Sequence, residues 1–178
     1  MRFGGIVLAT ALALGACSSS DPAPIEPQRS ATTPTPTATA PPMPDQARQD
    51  SPEGAAAFVK HYVDVFNYAA ATGDVEELTR LSAPTCEGCQ SYISLYRDTY
   101  AAGGYFKGAD WTIGDLRLQE ERSVTYATTL VKADPGPYRE SSKEPEQVSS
   151  GKDNQVSFAL QRSATAWQVT QIGLGAVQ

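Results

Sequence analysis

The sequence predicts an α+β fold in which N-terminal helices pack on a curved antiparallel sheet of about four strands. Three observations carry this prediction. Apolar residues recur at a spacing near four between Phe58 and Tyr100, the period of one helix face. After Gly108 the spacing changes to two, the period of a half-buried strand. The alternation then slips by one residue twice, beside Gly114 and between Val169 and Ile172, and such slips bend a strand.

Taken in order, Ser51-Pro52-Glu53 reads as a helix start: a side-chain cap, a Pro at the first position, then an acid near the positive helix end. Phe58, Tyr62, Phe66 and Ala69 form the apolar stripe, with Val59, Val63 and Ala70 beside it. Gly73 ends this helix, and Asp74 can cap a short second one through Leu81. Ser82-Ala83-Pro84 is a break. A third helix is expected from Cys86 or Glu87 to Ala102, stopped by Gly103-Gly104, with Tyr92, Tyr96 and Tyr100 on one face and Ile93 and Leu95 widening it. Trp111, Ile113, Leu116 and Leu118 then make a bent strand, and Val124, Tyr126, Thr128 and Leu130 a second. Residues 134–153 contain Pro135, Pro137 and Pro145 and read as a long loop. Val156, Phe158 and Leu160 give a third strand, Arg162 to Thr165 a turn, and Trp167 to Leu174 a fourth.

Helix, short helix, helix, then curved strands resembles the nuclear-transport-factor-2-like (cystatin-like) cone, in which the sheet curls around the first helix and can leave a pocket. At residue level, Ser51-Pro52-Glu53-Gly54-Ala55, Phe66-Asn67-Tyr68-Ala69, Ala71-Thr72-Gly73-Asp74 and Cys86-Glu87-Gly88-Cys89 are similar to a family of actinobacterial lipoproteins classed as a domain of unknown function. That resemblance implies a cell-envelope address and no activity.

The first fifty residues are of a different kind. Arg2 precedes an apolar stretch from Ile6 to Leu14, which is too short for a bilayer span of about 20 residues. It has the length and flanks of a signal-peptide core. The stretch ends in Leu14-Gly15-Ala16-Cys17, which resembles a lipobox: a branched apolar residue and two small ones admit a peptidase, and the thiol of Cys17 accepts lipid. Residues 1–16 are therefore expected to be removed and 17–50 to form a disordered tether, leaving 51–178 as one globular domain. Eight prolines from Pro22 to Pro44 deny the tether helix and sheet. Thr32, Thr33, Thr35, Thr37 and Thr39 fit either a bare spacer or an O-glycosylated stalk.

Charge excludes one class of partner. The eleven Lys and Arg after residue 50 are outnumbered by sixteen Asp and Glu, and an acidic surface repels phosphate backbones. No nucleic-acid partner is expected. The membrane is expected as a partner through the N-terminal lipid, together with a cell-envelope protein or a small apolar ligand.

Few residues suggest chemistry. Cys86 and Cys89 should be oxidised in an exported protein, either as a staple at the start of the third helix or as a thiol–disulfide exchange site. Zinc needs four ligands, and only His61 could join that pair, so no metal or cofactor is expected. His61 itself reads as a surface or boundary residue. In cone-fold lyases and isomerases a buried carboxylate and a Tyr do acid–base work. The candidates here are Tyr62, Tyr96, Asp98, Asp110 and Tyr126, against the reading that the tyrosines pack and the carboxylates are solvated. Trp111 and Trp167 read as packing on a strand face. Three functions follow in order: a non-enzymatic binding or interaction module, thiol–disulfide exchange through Cys86 and Cys89, and a cone-fold lyase or isomerase.

Overall fold

A computed structural model describes residues 38–163 and 166–175. The expected leader, Cys17 and most of the tether lie outside the described residues.

Among the described residues three α-helices open the domain: α1 (Pro52–Thr72), α2 (Glu76–Leu81) and α3 (Glu87–Ala101). Ser51 caps α1, accepting from the Gly54 N–H at 3.0 Å. At its far end Gly73 adopts φ 76°, where a side chain would strike the ring of Tyr100 on α3. Val75, not the expected Asp74, is the N-cap of α2, and the Asp74 carboxylate just before it accepts from Glu76 N–H at 3.1 Å. The end of α3 is a Schellman turn: Gly103 N–H donates to Tyr100 O and Gly104 N–H to Thr99 O, with Gly103 at φ 76°.

Among the described residues eight strands follow: β1 (Tyr105–Phe106), β2 (Trp111–Ile113), β3 (Arg117–Glu121), β4 (Val124–Ala133), β5 (Pro137–Arg139), β6 (Gln147–Val148), β7 (Lys152–Arg162) and β8 (Trp167–Leu174). The main sheet runs β2-β4-β7-β8, with β3 pairing the same edge of β4 as β2. The slip expected beside Gly114 is the break between β2 and β3, bridged by Gly114 N–H donating to Leu130 O at 3.0 Å. The second slip is a bulge in β8. Ala159 faces Gln171 and Leu160 faces Val169, leaving Thr170 unpaired.

The ladder of β4 on β7 sets the two faces. Thr125 faces Leu160, Ala127 faces Phe158 and Thr129 faces Val156. These residues line the concave side with Val131 and Val169, and the sheet wraps them around α1. Because the helix is enclosed on most sides, Ala55, Phe58, Val59, Tyr62, Val63, Val65, Phe66 and Ala69 are all buried. The architecture is thus an α+β cone with its core between α1 and the sheet.

Two expectations need correction. Residues 134–153 are not simply a loop. They supply β5 and β6, which join β1 in a second, three-stranded sheet. Tyr138 stacks on Phe106 with ring centroids 5.9 Å apart. Gly104 and Gly136 permit the approach, since a Cβ on either would overlap a backbone oxygen of the neighbouring strand. The strand count therefore exceeds four.

The second correction concerns where the packed chain starts. Residues 43–50 form a strap against the helices. A 3-10 turn at Gln46–Arg48 buries Ala47, and Met43 packs on the core. The last strands clasp the strap, with Trp167 Nε1 donating to Gln49 O at 2.9 Å and Arg162 Nη2 to Arg48 O at 3.1 Å. Gly54 admits it, because a Cβ there would overlap Gln49 O.

Candidate functional site

The cysteines stand where α2 ends and α3 begins. Cys86 is the N-cap of α3, and its Sγ accepts from Cys89 N–H at 3.2 Å. The two form a disulfide with a Cα–Cα distance of 5.2 Å. Glycine at position 88 lets β8 approach the turn, since a Cβ there would lie 2.9 Å from Ile172 O. Both cysteines are only 1 % exposed. Exchange requires an attacking thiolate to reach a sulfur, and this packing closes that route.

The five acid–base candidates do not converge. Tyr62 is buried against Phe158, its hydroxyl sharing a hydrogen bond with Ser82 Oγ at 2.9 Å, and Ser82 Oγ in turn donates to Leu78 O. Burial pushes the Tyr62 phenol up to about 12, against a smaller opposing pull from its bond to Ser82. Tyr96 is 6 % exposed, and burial raises its phenol well above the ordinary 10.0. Asp98 lies exposed on α3 beside Arg97, with Arg97 Nε 2.9 Å from its carboxylate. Asp110 is exposed ahead of β2. Tyr126 alternates with buried Ala127 and so points to the outer face of the sheet. The expected carboxylate–tyrosine pair is therefore not assembled: both carboxylates sit in water, Tyr62 and Tyr96 sit in the core, and Tyr126 lies on the other face of the sheet.

An aromatic cluster joins α1, α3 and β2. Phe66 packs on Tyr92, Tyr96 and Trp111 at 4.9, 5.3 and 4.4 Å between ring centroids. Phe106 extends the cluster from Tyr96 at 5.5 Å. One polar residue fastens it. Asn67 on α1 donates from Nδ2 to Trp111 O and accepts from Trp111 N–H, both at 2.9 Å. Its position in Phe66-Asn67-Tyr68-Ala69 was the available sequence signal, but periodicity assigns such a residue no partner.

His61 is buried rather than at the expected surface or boundary. It is 2 % exposed, with Nε2 unpaired and 4.0 Å from a Glu77 oxygen. Burial lowers its pKa, opposed by Glu77 and Asp64 and assisted by Arg80 and Arg48. Among the described residues no group of three His, Cys, Asp or Glu could hold a metal ion.

Trp167 lines several openings, two of which are also lined by residues of α1. One, about 230 Å³, is bounded by the strap, α1, α2 and the start of β8. The other, about 450 Å³, lies where Ser51, Pro52 and Ala55 face Leu118 and Thr125, with Asp50 and Glu120 also in its wall. The strap residues that border them could not be assigned to a site from a Pro-rich sequence that gave no reason to pack.

The helices wrapped by a bent antiparallel sheet define a protein of nuclear-transport-factor-2-like, cystatin-like architecture. The chain belongs to a family of unknown function, DUF6318, which it matches over residues 28–173. It is similar to the intermembrane space region of the chloroplast protein ARC6, with 11 % identity and a TM-score of 0.52 over 72 % of this chain and 99 % of that one. A putative dehydratase of the NTF2-like family from Streptomyces avermitilis aligns at 14 % identity and a TM-score of 0.45, over 71 % of this chain and 99 % of that one. An uncharacterised protein with a cystatin-like fold from Caulobacter vibrioides aligns at 7 % and 0.43, over 67 % and 87 %. No curated protein matches the chain.

Proposed function

We propose that this protein is a lipoprotein of an actinobacterial cell envelope, held on the outer face of the membrane by lipid on Cys17, and that its domain works by binding rather than catalysis. The partner is a cell-envelope protein or a small apolar ligand. The address rests on Arg2, the apolar run to Leu14 and the sequence Leu14-Gly15-Ala16-Cys17, which agree in charge, length and side-chain size with a cleaved and acylated leader. Two or more acyl chains give stable attachment, so no spanning helix is required. Among the described residues no helix is long and apolar enough to cross a membrane.

The observation that supports the binding half is the separation of the candidate acid–base groups. Acid–base catalysis needs a titrating group within hydrogen-bond reach of substrate. Here Phe66, Tyr92, Tyr96 and Trp111 pack against one another, while Asp98 and Asp110 face solvent. The buried disulfide removes the support that thiol exchange would need.

Detergent phase partitioning tests the anchor. The full chain expressed in a bacterial host should enter the detergent phase, and a Cys17→Ser chain should remain in the aqueous phase. Equal aqueous partitioning of both would contradict the proposal.

A further inference from the structure

We propose that the cavity under the strap is a binding site for a small carboxylate with an aryl or short alkyl body. The inference rests on the reading of the domain as a binding module and names its site and ligand class. The cavity holds about 230 Å³. An apolar cavity of about 150 Å³ accommodates benzene, so this one has room for a ring and a headgroup.

Its walls divide by chemistry. Ala47 from the strap, Phe58 from α1, Leu81 from α2 and Trp167 from β8 line it, and all are at most 8 % exposed. These form the apolar floor. Arg48 and Arg80 also line it, with side chains 62 % and 58 % exposed, and so stand toward solvent. An apolar floor beneath guanidinium groups suits an amphipathic anion, because a guanidinium fork matches a carboxylate.

The two arginines are differently placed for the task. Arg80 spends Nε and Nη2 on Glu77, leaving Nη1. Arg48 is held only loosely, with Nε 3.9 Å from Asp45, and its side chain makes no hydrogen bond among the described residues. Arg48 is thus the principal headgroup ligand and Arg80 the second. The protein's net charge of −6 gives no general attraction for anions, so selectivity must come from these two groups.

The site exists only while the strap is seated. Met43, Ala47 and Arg48 come from the segment joined to the membrane tether, and the other walls come from the domain. A ligand bridging both stabilises the seated strap by mass action.

The test uses the full chain carrying Cys17→Ser, which keeps detergent out of the assay, with phenylacetate as probe and 2-phenylethanol as its neutral counterpart. Calorimetry is expected to give saturable 1:1 binding of phenylacetate and binding of the alcohol weaker by about tenfold. Arg48→Gln and Arg80→Gln each should weaken phenylacetate by up to about fivefold, the scale of half-exposed charge pairs, and leave the alcohol unchanged. Met43→Trp, which adds bulk to the cavity and keeps both arginines, should abolish both. Equal affinity for the two probes, or phenylacetate binding unaffected by Met43→Trp, would overturn the site. Proton spectra of the probe after a day's incubation separate the two readings. Unchanged probe agrees with a binding module, whereas consumed probe would refute the non-catalytic reading while leaving the site in place.

Discussion

Asn67 and Trp111, 44 residues apart, make a reciprocal pair of hydrogen bonds: the Asn67 amide donates to Trp111 O and accepts from Trp111 N–H, both at 2.9 Å. The side chain does for the first residue of β2 what a neighbouring strand would do. It ties the middle of α1 to the free edge of the sheet, where Trp111 meets Phe66 at 4.4 Å between ring centroids.

Replacing Asn67 with Ala should therefore cost about 2 kcal/mol, since two backbone groups lose their partner at a half-buried position. Urea titration followed by Trp fluorescence measures it. Asn67→Asp should do nearly as badly, because a carboxylate cannot donate to Trp111 O.

The strap gives a prediction that combines stability and protease access. Gly54→Ala places a methyl where Gln49 O lies, so the strap must lift. Trypsin should then cleave after Arg48 faster than in the parent, with a stability loss of about 1–3 kcal/mol. Unaltered cleavage would mean that the strap is not held by this contact.

His61 sets an acid-side stability limit. Its folded-state pKa is depressed by burial, so the unfolded chain binds the proton more readily. Its contribution is whole above the ordinary value of 6.5 and is lost as pH falls from there through the lower folded-state pKa. Glu77, held low mainly by its hydrogen bond to Arg80, loses its contribution only in a more acid window below 4.5. Urea midpoints between pH 7 and pH 5 should fall in the parent and flatten in His61→Gln.

The disulfide should behave as a staple. Chain entropy for a four-residue loop amounts to about 2 kcal/mol, so Cys86→Ser with Cys89→Ser should lower stability by roughly that. Burial of both cysteines predicts a reduction potential below about −300 mV. A value near −200 mV would reopen thiol exchange.

Legibility in the sequence followed the range of the interactions. Ser51, Gly73 and Gly103 act within a few residues of themselves, so their roles as cap and stops were readable. Slips in alternation at Gly114 and near Thr170 also leave a local trace. By contrast, β1 and β5 pair two residues across a gap of more than thirty, too short for a period to register. The strap packs through Ala47 and Met43 inside a Pro-rich stretch whose composition argues for a tether. His61 was misplaced because burial on α1 extends beyond the single apolar stripe. It stands three residues beyond Phe58, on a face covered by α2. Among the candidate site residues, the disulfide was readable from the expected export and the cysteine spacing, whereas the isolation of Asp98 and Asp110 from the tyrosines depends on tertiary placement.

Mass spectrometry of the N-terminal peptide of the full chain, recovered from the membrane fraction of a bacterial host, tests the central claim most directly. The account predicts a peptide beginning at Cys17 and heavier than its sequence by a diacylglyceryl group, with or without a further acyl chain. A peptide beginning at Met1, or an unmodified thiol at Cys17, would contradict it.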